Sequence, residues 1–152
     1  MAKLDQTLVE AAIELLESRF PKSEGIAAAV RTDDGRILTS VVFDPEWGGG
    51  GLCAETGAIL EAHKLGKRVV AVACVSRLSG KAPIVILTPC GICQERLFHW
   101  GGAVEVAIPD SHDPTKWVSR TLAEVQPYYW VNPHKKKSET RSADEEYNDN
   151  RE

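Results

Sequence analysis

From Leu4 onward the apolar residues Leu4, Leu8, Ala11, Ala12, Leu15 and Leu16 return every three or four positions, the spacing that gathers side chains on one face of a helix. Phe20-Pro21 ends it, because proline has no N–H with which to carry the helical ladder on. Such a helix should cover a sheet. The pattern then turns β-rich over Gly25 to Arg31 and over Arg36 to Phe43, and Asp33-Asp34-Gly35 between them reads as the turn of an antiparallel hairpin. Gly48 to Gly51, four glycines in succession, predict a loop that ends at Cys53. Ala58, Ile59, Ala62 and Leu65 lie at helical spacing, so a second helix is predicted over Ala54 to Leu65, stopped by Gly66.

Val69 to Val75 is apolar on both alternations, as in a strand buried on both faces. A second apolar run, Ile84 to Leu87, ends in Thr88-Pro89-Cys90, and Ile92, Leu97 and Phe98 then predict a short helix closed by Gly101-Gly102. Ala103 to Ile108 reads as a further strand and Thr115 to Val125 as a last helix before Pro127-Tyr128-Tyr129-Trp130. Strands alternating with helices after a hairpin give an α/β fold of three layers, helices on both faces of a mixed five-stranded sheet. Residues 1–132 form one domain on this reading. Residues 133–152 hold no aliphatic side chain larger than Ala143 and are dense in charge, which predicts a disordered tail.

Composition narrows the function. The chain has 152 residues, room for one domain, and 43% hydrophobic with 26% charged residues is an ordinary globular balance. A formal net charge of −4 argues against nucleic acid as a partner, which would call for a basic excess. Val69 to Val75 falls far short of the roughly 20 apolar residues that cross a bilayer, so a cytoplasmic protein without a membrane partner is expected. A small-molecule substrate fits better.

Chemistry concentrates in Cys53-Ala54-Glu55 at one predicted helix start and Pro89-Cys90-Gly91-Ile92-Cys93 at another. If the two starts converge, three thiolates leave one position of a tetrahedral zinc open, which is the form of a catalytic site. Helix N-termini favour deprotonated cysteines, and Glu55, two residues from a ligand, can reach the open position as a proton carrier. Other readings compete. Cys-x-x-Cys also serves redox proteins and structural zinc ribbons, and a structural site would take a fourth ligand from Cys74, His63 or His99. Cys74 sits in a buried strand, where cysteine packs as a small hydrophobe, and the two histidines fall late in their helices. A redox pair would leave Cys53 and Glu55 without a role.

Cys53-Ala54-Glu55 with Pro89-Cys90-x-x-Cys93 resembles the paired zinc motifs of the cytidine deaminase family. The resemblance extends over the element order from Gly25 to Tyr129 and implies the family's three-layer fold. It implies hydrolysis of the cytosine ring amine of a free nucleoside, with release of ammonia, in a pyrimidine salvage role. It further implies zinc on Cys53, Cys90 and Cys93, Glu55 as general acid/base, base contacts from the backbone of Ala54 and Thr88, and a homotetramer. Where the family holds the ribose with Asn-x-Glu, this chain has Val42 and Asp44, so one hydrogen bond is lost and one acceptor is kept on a shorter arm. Two customary arginines are Thr56 and Gln94 here, leaving helix dipoles, backbone N–H groups or Arg96 to offset three thiolates. The glycine-rich approach to Cys53 and the altered ribose positions Val42 and Asp44 look more like the blasticidin S deaminases of the same family, whose aromatic C-terminus is echoed by Tyr128, Tyr129 and Trp130; these aromatics read equally as a final clamp over the core. Phe43 and Trp47 read either as loop packing or as a wall for the base.

Overall fold

The structure, a computed structural model, describes residues 3–46 and 49–134. Asp5 starts the first helix, α1 (Gln6–Arg19), by accepting the Leu8 N–H on its carboxylate at 3.0 Å. The same carboxylate oxygen takes Arg31 of the neighbouring strand at 2.7 Å, which ties the helix to the sheet. Leu8, Val9, Ala12 and Leu16 form the buried face of α1.

Strands β1 (Gly25–Thr32) and β2 (Ile37–Val41) pair antiparallel as the sequence predicts. Their turn depends on Gly35, whose φ of +85° is closed to residues with a Cβ. Strand β3 (Val69–Arg77) lies antiparallel to β1 along nearly its whole length. The opposite edge of β3 is divided between two partners. Its far half pairs antiparallel with β4 (Val85–Leu87) through Cys74↔Leu87, Val75↔Ile86 and Ser76↔Val85. Its near half pairs parallel with β5 (Glu105–Pro109) through Ala71↔Glu105 and Val72↔Val106.

The sheet has six strands, one more than the five expected, in the order β2-β1-β3-β5-β6 with β4 beside β3. The added strand, β6 (Trp117–Thr121), lies within the segment predicted as the last helix, and only α4 (Leu122–Val125) of that segment is helical. Tertiary pairing overrode local pattern here: β5 offered a free edge, and Val118 pairs with Ile108 across it. Thr121 and Glu124 then start α4 with a reciprocal capping box.

Alternation in the central strands sends small residues to one face and branched ones to the other. Ala27, Ala29, Ala71 and Ala73 pack with Val75 under α1. Val30, Val72 and Val106 face Ala58, Ile59 and Ala62 of α2 (Thr56–Lys64), together with Leu97 at the end of α3 (Gly91–Leu97). The result is the expected three layers. A single 3-10 turn, Phe98–Trp100, extends α3, and another, Asn132–His134, takes in the first two residues of the expected tail. The rest of that tail lies outside the described residues.

Candidate active site

The two cysteine motifs enter the site from different elements. Phe43 and Leu52 form an isolated antiparallel bridge, Phe43 N–H donating to the Leu52 carbonyl at 3.0 Å and Leu52 N–H to that of Phe43 at 2.8 Å. This closes the glycine loop and returns the chain to the end of β2. Cys53-Ala54-Glu55 is the turn that follows, with Thr56 N–H donating to the Cys53 carbonyl at 3.1 Å. The helix itself starts at Thr56, two residues later than predicted, so Cys53 precedes it and Glu55 is its N-cap.

Ser40 of β2 fixes this turn. Its hydroxyl donates to the Ala54 carbonyl and accepts the Ala58 N–H at 2.9 Å. A Cβ on Gly57 would stand 2.8 Å from the Ser40 Cβ, so the close approach of strand and helix requires glycine there. Neither residue is marked as functional by the sequence, because the link joins positions that only the fold makes neighbours.

The second motif comes directly off β4. Pro89 is buried, and Cys90 is the extended N-cap of α3, its carbonyl accepting the Gln94 N–H at 2.8 Å. The Gln94 side chain reaches back to the Pro89 carbonyl at 2.7 Å and pins the turn.

These two entries bring the sulfurs of Cys53, Cys90 and Cys93 within 4.8 Å of one another, with Cys53 and Cys90 3.3 Å apart. Zinc–thiolate bonds of about 2.3 Å in a tetrahedron place sulfurs about 3.8 Å apart, so the donor set fits zinc. Glu55, 3% exposed, accepts the Cys93 thiol on Oε2 at 3.3 Å. Burial, and then the Glu55 charge, push the Cys93 thiol far above the usual range. The Cys53 thiol is pushed up by donating to Cys90 and by burial. Burial opposes ionisation of Cys90 too, but N–H groups of Cys93 and Ile92 and the Cys53 thiol donate to its sulfur and hold it below the usual value. Cys90 is thus the thiol whose ionisation the chain itself eases most, and a bound cation would ease that of all three.

Cys74 is buried with Ala28 and Ala54, as expected, and burial with the nearby Glu55 charge holds its thiol protonated. It also forms part of the site wall. His63 and His99 stand edge to face, 5.5 Å apart, in a separate hollow with Arg96 and Trp100, and neither joins the three sulfurs. Arg96 extends from α3 to the Thr56 hydroxyl at 2.7 Å and so lies beside the residue that follows Glu55.

Beside the sulfurs opens a cavity of about 320 Å³. Val42, Phe43, Asp44, Ala54 and Thr88 all line it, together with Cys53, Glu55 and Cys90. Ile26, Gly51, Leu52, Cys74 and Leu87 complete the wall. The sequence signals Ile26, Leu52 and Leu87 only as strand or loop hydrophobes, and Cys74 as a core residue or fourth ligand; Leu87 and Cys74 meet through the β3–β4 register. Trp47 lies outside the described residues. The terminal aromatics do not line this cavity. Tyr129 stacks on Phe98 at 3.7 Å, Tyr129 and Trp130 both donate to Glu95 at 3.1 Å, and Tyr128 stays 95% exposed. Within one chain they clamp α3 to the C-terminal segment.

A largely apolar cavity with a buried carboxylate and two of three convergent thiols on its wall has the groups for acid–base work on a small polar substrate. No family model matches the chain. A cytidine deaminase of Mycobacterium tuberculosis is 34% identical over 87 residues, which are 57% of this chain and 59% of that relative. This chain therefore spans less than two thirds of that relative's length. The crystal structure of the cytidine deaminase from Bacillus anthracis is 39% identical, covers 94% of this chain and 97% of its own, and superposes with a TM-score of 0.82. That of the cytidine deaminase from Mycobacterium leprae is 28% identical, covers 80% and 95%, and gives 0.60.

Proposed function

The chain belongs to the cytidine deaminase family, and from that premise we propose that it hydrolyses the exocyclic amine of the cytosine ring of a free nucleoside, releasing ammonia. The observation that carries the proposal is the convergence of the three cysteine sulfurs and Glu55 beside one cavity, on whose wall Cys53, Cys90 and Glu55 stand. Cys53, Cys90 and Cys93 would hold zinc, which supplies Lewis acidity and a water of lowered pKa when bound. Glu55 would hold and move the protons: it takes one from the attacking water and gives it to the ring N3, then takes the second from the hydroxyl added to the ring and gives it to the amine, which leaves as ammonia as the ring carbonyl forms. The backbone at Ala54 and Thr88 orients the ring edge. Ile26, Val42 and Leu87 exclude bulk water, which strengthens each of these interactions.

The test is zinc content together with loss of ultraviolet cytidine absorbance and ammonia release. Cytosine, cytidine, deoxycytidine, cytidine monophosphate and blasticidin S form the substrate panel. Zinc without turnover of any cytosine compound is the result expected of a non-catalytic zinc domain, and would overturn the proposal. No helix among the described residues is long and apolar enough to cross a bilayer. A cytoplasmic homotetramer is part of the same proposal. Phe43 and Leu52 at the cavity mouth are 57% and 43% exposed, and Leu60 and Ile92 on the helical face are each 60% exposed, apolar area of the kind a neighbouring copy covers. A fully active monomer in sedimentation would refute it.

Val42 favours a second reading of the substrate, as a sugar-modified cytosine compound such as blasticidin S. It lines the cavity where the family's asparagine would offer a hydrogen bond, and Asp44 alone remains to grip a hydroxyl. Val42→Asn is expected to raise kcat/KM for cytidine relative to blasticidin S by roughly tenfold, the worth of one regained hydrogen bond of about 1.4 kcal/mol. A ratio unmoved by the substitution would show that Val42 does not face the sugar.

A further inference from the structure

Ile26, Val42, Phe43 and Asp44 wall the active-site cavity, and the same four residues also wall a second one of about 490 Å³. The two spaces therefore adjoin along the side where the sugar of a bound nucleoside would lie. Phe20 lies on the wall of the second cavity, packed so closely over Gly25 that no Cβ fits between them. The Arg19 guanidinium sits over the Phe20 ring, 5.0 Å from its centroid. Glu24 and Asp44, both exposed, are the acidic residues that line the space.

Arg77, the last residue of β3, is the informative member. It is 8% exposed and lines this cavity, its Nη2 donates to the Phe20 carbonyl, and its Nε has no partner. No carboxylate among the described residues forms an ion pair with it. Arg31 provides the comparison within the same sheet. Buried to 7% exposure and likewise with an unpartnered Nε, it is neutralised by Asp5 at 2.7 Å. A buried guanidinium without a counter-charge is costly unless an anion completes it, and its planar fork matches the two oxygens of a carboxylate or phosphate.

We propose that the second cavity is a subsite for an oxyanion, phosphate or carboxylate, carried on the sugar side of the cytosine substrate and received by Arg77. The proposal rests on the deaminase reading of the first cavity and moves its favoured substrate from a neutral nucleoside to a cytosine compound with an anionic arm. Val42 then has a purpose, since a small apolar residue at the shared wall leaves the arm free to pass. Asp44 marks the junction of the two spaces.

The test compares kcat/KM for cytidine, cytidine 5′-monophosphate and the 5′-carboxylate of cytidine in the wild type, Arg77→Gln and Arg77→Lys. At least one anionic compound is expected to exceed cytidine tenfold in the wild type, and the better one identifies the oxyanion. Arg77→Gln, which removes the charge and ends near the position of Nε, is expected to lower the anionic-to-neutral ratio tenfold or more, with Arg77→Lys intermediate. Preference of the wild type for cytidine over both anionic compounds overturns the proposal. A parallel fall for all three in Arg77→Gln also overturns it, because that is the signature of a purely structural arginine. If Arg77→Gln fails to fold, the wild-type ratio and Arg77→Lys decide. Turnover of no cytosine compound would instead sink the deaminase reading. Calorimetric titration with inorganic phosphate then judges the subsite alone: binding by the wild type that Arg77→Gln loses supports it, and absence of binding by the wild type overturns it.

Discussion

Glu55→Gln is expected to keep the fold and the metal and to lose turnover by roughly 10²–10⁴-fold or more, the range for a single general acid–base group. The amide matches the carboxylate in size, so the N-cap position of α2 and the packing around a 3% exposed side chain are retained. It cannot accept and release a proton, and in the proposed reaction one group serves both the attacking water and the departing amine. Glu55 is not among the three convergent sulfurs, so zinc stoichiometry should stay near that of the wild type. The measurement is kcat at saturating cytidine beside metal analysis of the same preparation. Near-normal kcat would remove Glu55 from the chemistry.

Alanine at Cys53, Cys90 or Cys93 is expected to empty the metal site and abolish activity, whereas Cys74→Ala should retain about one zinc per chain. The contrast is physical. Cys90 receives backbone N–H groups at the start of α3 and is the thiol most ready to ionise, while Cys74 is held protonated by burial and by the Glu55 charge. Cys74 nevertheless lines the cavity, so its loss should alter KM more than metal content. Metal analysis after dialysis separates the cases; a Cys74→Ala protein without zinc beside a Cys53→Ala protein with it would reverse the ligand assignment.

Much of this site is legible in the chain because its chemistry is local. Pro89-Cys90 and Cys53-Ala54-Glu55 lie at turns into helices, and turns announce themselves through proline, glycine and a change of period. The central strand is legible for a similar reason, since only a strand buried on both faces reads as Val69 to Val75. What escaped depends on partners distant in sequence. Trp117 to Thr121 has a spacing compatible with helix or strand over so short a stretch, and the open edge of β5 decided it. Ser40 looks like one polar residue of a hairpin until α2 is laid against it. Arg77 looks like the charged end of a strand, and only burial without a carboxylate distinguishes it from Arg31.

The division of the β3 edge also bears on how the molecule assembles. β4 is joined to β3 by a short connection, so Cys90 and Cys93 arrive beside the central strand through a hairpin of low contact order. Cys53 arrives from the other side, carried by the β1–β2 hairpin, the Phe43–Leu52 bridge and the Ser40 links. The eight-pair ladder between β1 and β3 is what joins the two halves. A chain that has closed only its local hairpins holds half a site on each. The cysteine trio therefore comes into being with the sheet itself, so a nascent or partly unfolded chain presents no completed metal trap for a stray ion to seize.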